Sequence, residues 1–127
     1  MKKVIATPNA PAALGPYSQA VFANDVLYGS GQVGLNPETG EFAGTTIEAQ
    51  ARQIFSNINS VLTEAGFTPA DVVKTTIFLD NVADFATVNG LYEQFFQNSQ
   101  VLPARSCVEV AQLPAGALIE IEYMATK

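Results

Sequence analysis

Between residues 46 and 65 the apolar side chains Ile47, Ala51, Ile54, Ile58, Val61, Leu62 and Ala65 recur mostly at three- and four-residue steps, and no other feature constrains the fold as strongly. That spacing follows the 3.6-residue turn of an α-helix, so the segment is a helix with one stripe committed to a core. Thr45 followed by Glu48 fits a capping box at its start, and Gly66 is the residue expected to end it. A second helix is expected over 82–97, with Phe85, Val88, Tyr92 and Phe95 on its stripe and Asn81 or Asp84 as its cap. Gly90 inside it costs about 1 kcal/mol relative to alanine.

Strand-like runs surround these helices at 19–23, 26–31, 72–79, 104–110 and 118–125, with 3–6 as a candidate edge strand. Asn24-Asp25 between the first two reads as a tight hairpin turn. The order is strands, helix, strand, helix, strands, which predicts an α+β layer with both helices on one sheet face. At 127 residues the chain is one domain, 1–127. Apolar residues at 48% against 14% charged leave a surplus once a core is filled. The uncovered sheet face must be solvated or buried against another subunit, and the surplus favours the second.

Composition narrows the chemistry. A formal charge of −6 is the wrong sign for neutralising phosphates, so nucleic acid is not an expected partner. The lone cysteine, Cys107, has no internal disulfide partner, and the run after Lys2 and Lys3 is soon broken by Pro8, Asn9 and Pro11, so a cytoplasmic protein without a secretory signal is expected. No window approaches the roughly 18 apolar residues of a membrane span. Histidine is absent, which removes the common zinc constellations and the Ser-His and Cys-His nucleophile pairs from a single chain. No phosphate-cradling glycine motif occurs. Carboxylates, Arg, Tyr, Ser and backbone groups remain.

Arg105 is conspicuous in the short-side-chain run Ala104-Arg105-Ser106-Cys107-Val108-Glu109-Val110. Its guanidinium keeps its charge and calls for an anion: Glu109, Glu120 or Glu122 in an ion pair, solvent, or a ligand carboxylate gripped by two parallel hydrogen bonds. Period 2 puts Arg105 and Cys107 on one strand face. Glu120 and Glu122 alternate with Ile119 and Ile121 in the last strand, and alternation alone does not separate them. Were 104–110 and 118–125 to pair directly, Cys107 opposite Glu120 would put Arg105 opposite Glu122. Cys107 reads either as a small buried hydrophobe or as a nucleophile. Gly15-Pro16-Tyr17-Ser18 and Gly29-Ser30-Gly31-Gln32 are small-residue turns that read as ordinary turn chemistry, or, at the two glycines flanking Ser30, as a place where a ligand approaches the backbone. Asn89 is a polar position on the second helix, and Lys74, the one lysine away from the termini, is a weak Schiff-base candidate.

The stretch from Pro103 to Leu113, continuing to Ile119-Glu120-Ile121, resembles the C-terminal signature of the RidA (YjgF) family. Asn9-Ala10-Pro11 with Gly15 to Ala20, Ser30-Gly31-Gln32 followed by Asn36 to Gly40, and Asp84 to Asn89 resemble its other motifs, in order along nearly the whole chain. The resemblance implies a chorismate-mutase-like fold, a mixed sheet with two helices packed on one face, in a homotrimer with a cleft at each subunit interface. It implies hydrolysis of enamines and imines such as 2-aminoacrylate and 2-aminocrotonate to 2-oxo acids and ammonia, with no metal or organic cofactor. Carried over residue by residue, Arg105 holds the substrate carboxylate and Glu120 orients or protonates the attacking water. Cys107 contributes backbone groups more than its thiol, Tyr17 closes the site, and Ser30, Gly31 and Asn89 line it, some from the neighbouring subunit. Gly34 departs from the proline of many members, a change expected to touch loop stiffness. Two other classes use the same residues differently: a 2-oxo-acid-binding regulator, which needs Arg105 but not Glu120, and a ribonuclease or translation inhibitor, which the acidic chain disfavours.

Overall fold

A computed structural model describes residues 1–127. The first helix, α1, runs Ile47–Glu64 and buries Ala51, Ile54, Ile58, Val61 and Leu62 as the periodicity predicts, with Phe55 beside them. Truncating any one of its buried Ile or Leu side chains to alanine would cost about 2–5 kcal/mol. Its cap is Thr46, not Thr45: the Thr46 hydroxyl accepts from the Ala49 N–H at 3.1 Å. That start leaves Glu48 one position too early for a capping box, and it pairs with Arg52 one turn on at 3.1 Å. The far end closes as expected, with Gly66 at φ +81° and the Gly66 and Phe67 N–H groups donating to the Thr63 and Leu62 carbonyls at 3.0 and 2.8 Å.

The second helical segment is divided. Val82–Asp84 is a 3₁₀ turn whose Ala83 N–H donates to the Asn81 side chain at 2.9 Å, and α2 proper runs Phe85–Phe95. Asp84 makes no side-chain cap. Glu109 accepts from the Val82 N–H at 2.9 Å, which holds the tight turn in place.

The strands are β1 (Lys3–Ile5), β2 (Ala20–Ala23), β3 (Val26–Val33), β4 (Val72–Leu79), β5 (Ala104–Glu109) and β6 (Ile119–Thr126). Asn24 and Asp25 between β2 and β3 both have positive φ, 51° and 66°, the geometry of a type I′ hairpin turn. One six-stranded sheet results, in the order β1-β2-β3-β6-β4-β5, with β4 and β5 parallel and every other pair antiparallel. The helix α2 supplies the crossover that a parallel pair requires. β4 lies between β5 and β6, so the direct pairing entertained for 104–110 and 118–125 does not occur. No helix is long and apolar enough to cross a membrane.

Register divides the strand side chains between two faces. Thr75, Ile77 and Leu79 of β4 lie opposite Tyr123, Ile121 and Ile119 of β6, and all six are buried against the helices. The other face carries no helix. There Val4, Val21, Tyr28, Met124, Lys74 and Ala104 line up as successive partners across all six strands. Val4 and Tyr28 in that row are exposed. A row apolar but for Lys74 on an uncovered face is a surface a partner subunit would bury.

The loop after β3 is pressed onto α1. Gln50 donates to the Gly44 carbonyl and accepts from the Leu118 N–H, at 3.0 and 2.9 Å. A Cβ built on Gly34 would come within 2.7 Å of the Gln50 Cα and carbonyl oxygen. The glycine there serves close approach to the helix, beyond the loop stiffness expected from sequence.

Candidate functional site

Arg105 stands on β5, a strand at the edge of the sheet, and faces the helix side because it pairs with Thr75. Phe85, Asn89 and Tyr92 follow one another at four- and three-residue steps on α2 and meet it there. An Nη1 hydrogen of Arg105 is donated to Asn89 Oδ1 at 2.7 Å. The guanidinium carbon lies 5.2 Å from the Phe85 ring centroid and 4.9 Å from that of Tyr92. None of the three carboxylates considered from sequence pairs with it: the chain's one ion pair is Arg52–Glu48. Arg105 is therefore an exposed cation held by a neutral acceptor and aromatic faces, with donors left over for an anion.

Cys107 shares that face, opposite Ile77, and is half-buried. Burial pushes its thiol above the ordinary range while Arg105 pulls the other way, so at neutral pH the sulfur keeps its proton. That disfavours a thiolate nucleophile.

The second group lies elsewhere. Tyr17, Ser30, Gly31, Val33, Pro114, Glu120 and Glu122 line a cleft of about 560 Å³. Its position follows from a bulge in β3 between Gly29 and Gln32, which re-aims the strand where it meets β6. Ser30 anchors the loop that carries Tyr17: its hydroxyl donates to the Ser18 carbonyl at 2.6 Å and its N–H to the Gln19 carbonyl at 3.0 Å. Buried Gln19 clamps the same loop, accepting from the Thr7 N–H and donating to the Pro11 carbonyl at 2.6 and 2.8 Å. Tyr17 itself is 55% exposed. A Cβ on Gly31 would overlap the Glu120 carboxylate, so this glycine gives the carboxylate its place. Burial raises the proton affinity of Glu120, and Glu122 beside it on the strand adds to the effect.

The structure thus brings Tyr17, Ser30, Gly31 and Glu120 together, and separately Arg105, Cys107 and Asn89. It does not bring the two groups together. Glu120 pairs with Phe78 on the uncovered face, whereas Arg105 pairs with Thr75 on the helix face. Sequence reasoning used Phe85 and Tyr92 only as core positions, although their spacing with Asn89 marks one helix stripe. It also missed Gln19, whose four hydrogen bonds to the 7–11 segment have no local signal.

A family model described as Endoribonuclease L-PSP matches residues 7–127. The chain is 54% identical to a RutC family protein of Leuconostoc mesenteroides subsp. cremoris, over 99% of this chain and 98% of that protein. It is 49% identical to a 2-iminobutanoate/2-iminopropanoate deaminase of Escherichia coli (strain K12), over 100% of this chain and 99% of that one. Among solved structures, a protein of the conserved Rid family from Yersinia pestis is similar with a TM-score of 0.97 at 50% identity, over 100% of both chains. Matching in sequence, in fold and over its whole length, the chain belongs to the RidA (YjgF) family.

Proposed function

We propose that this chain is a deaminase that hydrolyses 2-aminoacrylate/2-iminopropanoate and 2-aminocrotonate/2-iminobutanoate to 2-oxo acids and ammonia. The observation that carries the reading is Arg105, an exposed guanidinium without a carboxylate partner in its own chain. Its planar fork grips the substrate carboxylate. The imine carbon is electrophilic already, so the protein has to position it, deliver water and move protons. Water adds to that carbon while one of its protons passes to the nitrogen through Glu120; the hydroxyl of the adduct then gives its proton to the same nitrogen by way of Glu120 as the C–N bond breaks, and ammonia leaves a 2-oxo acid. No step calls for a metal or organic cofactor. The similarity to the E. coli deaminase supports the same reaction.

Because Arg105 and Glu120 occupy opposite sheet faces, the site is assembled between subunits. The Arg105, Asn89 and Cys107 group of one subunit meets the Tyr17, Ser30, Gly31 and Glu120 cleft of its neighbour, and closure around a ring makes a homotrimer. The apolar row on the uncovered face supports such burial. The location proposed is the cytoplasm, which suits a lone unpaired cysteine. Cleavage of nucleic acid fits less well, since a charge of −6 opposes a polyanion.

The test generates 2-aminoacrylate in a coupled assay and follows 2-oxo acid release with and without the protein. Acceleration by wild type, and its loss in Glu120→Gln with 2-oxo acid binding retained, is the expected result. No acceleration, or full activity without Glu120, would overturn the reading. Light scattering should give a trimer at micromolar concentration, and a monomer would remove the intersubunit site.

A further inference from the structure

We infer that Tyr92 is a positioning residue for Arg105: its ring, locked from behind by Thr75, presets the guanidinium for edge-on capture of a carboxylate. The inference rests on the reading of Arg105 as the carboxylate anchor. An exposed arginine on a long flexible stem ordinarily samples many rotamers, and binding must then freeze them. Here the guanidinium has three contacts on α2: the Asn89 acceptor at 2.7 Å and the rings of Phe85 and Tyr92 at 5.2 and 4.9 Å.

The two rings differ in kind. Phe85 is 36% exposed and stands at the rim, whereas Tyr92 is 7% exposed and packs against Phe55 and Phe96 at centroid distances of 6.2 and 4.6 Å. The Tyr92 hydroxyl shares a buried hydrogen bond of 2.7 Å with the Thr75 hydroxyl. Thr75 is also the β-partner of Arg105 in the parallel β4–β5 ladder. The contacts therefore close a loop: Thr75 to Tyr92 through the hydroxyls, Tyr92 to Arg105 through the ring face, and Arg105 to Thr75 through the strand register. A residue in such a loop is held from both ends. Aromatic faces attract the cation without using its N–H groups, and Asn89 uses one of five. The remaining in-plane donors suit a planar carboxylate.

The ring face attracts the cation, and the ring is held both by the hydroxyl bond to Thr75 and by its packing against Phe55 and Phe96. Titration of 2-oxobutanoate by calorimetry, imine turnover and melting curves on wild type, Tyr92→Phe, Tyr92→Leu, Tyr92→Met and Arg105→Ala separate these contributions. Tyr92→Phe should melt lower, because the Thr75 hydroxyl loses its partner, and bind only about twofold more weakly, because the packing against Phe55 and Phe96 still holds the ring. Tyr92→Leu and Tyr92→Met should bind about three- to tenfold more weakly, with the loss in KM more than in kcat. Arg105→Ala should lose binding. Wild-type affinity in folded Tyr92→Leu or Tyr92→Met, alongside loss in Arg105→Ala, would overturn the positioning role and leave the anchor standing. Normal binding by Arg105→Ala would overturn the anchor itself. A measurement on the wild type needs no variant: the Arg105 Nε–H proton should carry a ring-current shift, and a freely averaged resonance would overturn the inference.

Discussion

Adding one methyl group at Gly31 should lower activity without harming the fold. A Cβ built there lies 2.9 Å from the Glu120 Cδ and 3.2 Å from its Cγ, and overlaps the carboxylate itself. The obstacle is the far end of a flexible side chain, so the carboxylate moves and the strand stays. Restoring ordinary contact requires a shift on the order of 1 Å, and a misplacement of that size costs on the order of a hundredfold in rate. Stability should not fall. Gly31 is not among the glycines with positive φ, so alanine suits its backbone and restricts the unfolded chain, an effect of about 0.4–1 kcal/mol in favour of the variant. The assay is imine turnover beside thermal unfolding of Gly31→Ala. Wild-type turnover with a normal melting temperature would refute the claim that the position of the Glu120 carboxylate matters.

Arg105→Lys should remain folded and trimeric yet lose most turnover, about a hundredfold, because a flexible point charge replaces the fork, and near-normal turnover would mean the anchor is misassigned. Its removal in Arg105→Ala should change stability by no more than about 1 kcal/mol in thermal unfolding, since the bond to Asn89 is exposed. Cys107→Ala should keep a measurable fraction of activity, because the thiol is held protonated and the backbone groups survive; complete loss with the fold intact would show that the sulfur is needed. Burial first, and Glu122 second, raise the Glu120 carboxyl above its ordinary value of 4.5. A raised acid favours folding in its protonated form, so that contribution is present below 4.5 and is lost as pH rises through the folded-state value. Melting curves should therefore show Glu120→Gln gaining on wild type across that window, and a difference that stays flat with pH would contradict it.

Much of the local structure was legible in the chain. The stripe from Ile47 to Ala65, the stop at Gly66 and the turn at Asn24-Asp25 depend on neighbours within one or two helical turns or across one hairpin, where spacing maps directly onto geometry. The single-residue shift of the cap from Thr45 to Thr46 is the ordinary uncertainty of two adjacent threonines that could each serve. Period 2 likewise placed Arg105 and Cys107 on one strand face. The family motifs named the candidate site residues, Arg105, Cys107, Glu120, Tyr17, Ser30, Gly31 and Asn89, without saying which of them meet within one chain.

What period 2 cannot give is which strand lies beside which, because it orders side chains within a strand and carries no information about its neighbours. Only tertiary structure set β4 between β5 and β6 and so turned Arg105 and Glu120 to opposite faces of one sheet. The same long-range packing brought Phe85, Asn89 and Tyr92 over Arg105 and gave the cation a neutral cradle where sequence had offered three carboxylates. Local spacing determined the pieces; strand order, chosen by burial of the helix-side residues in one core, decided which of them face each other.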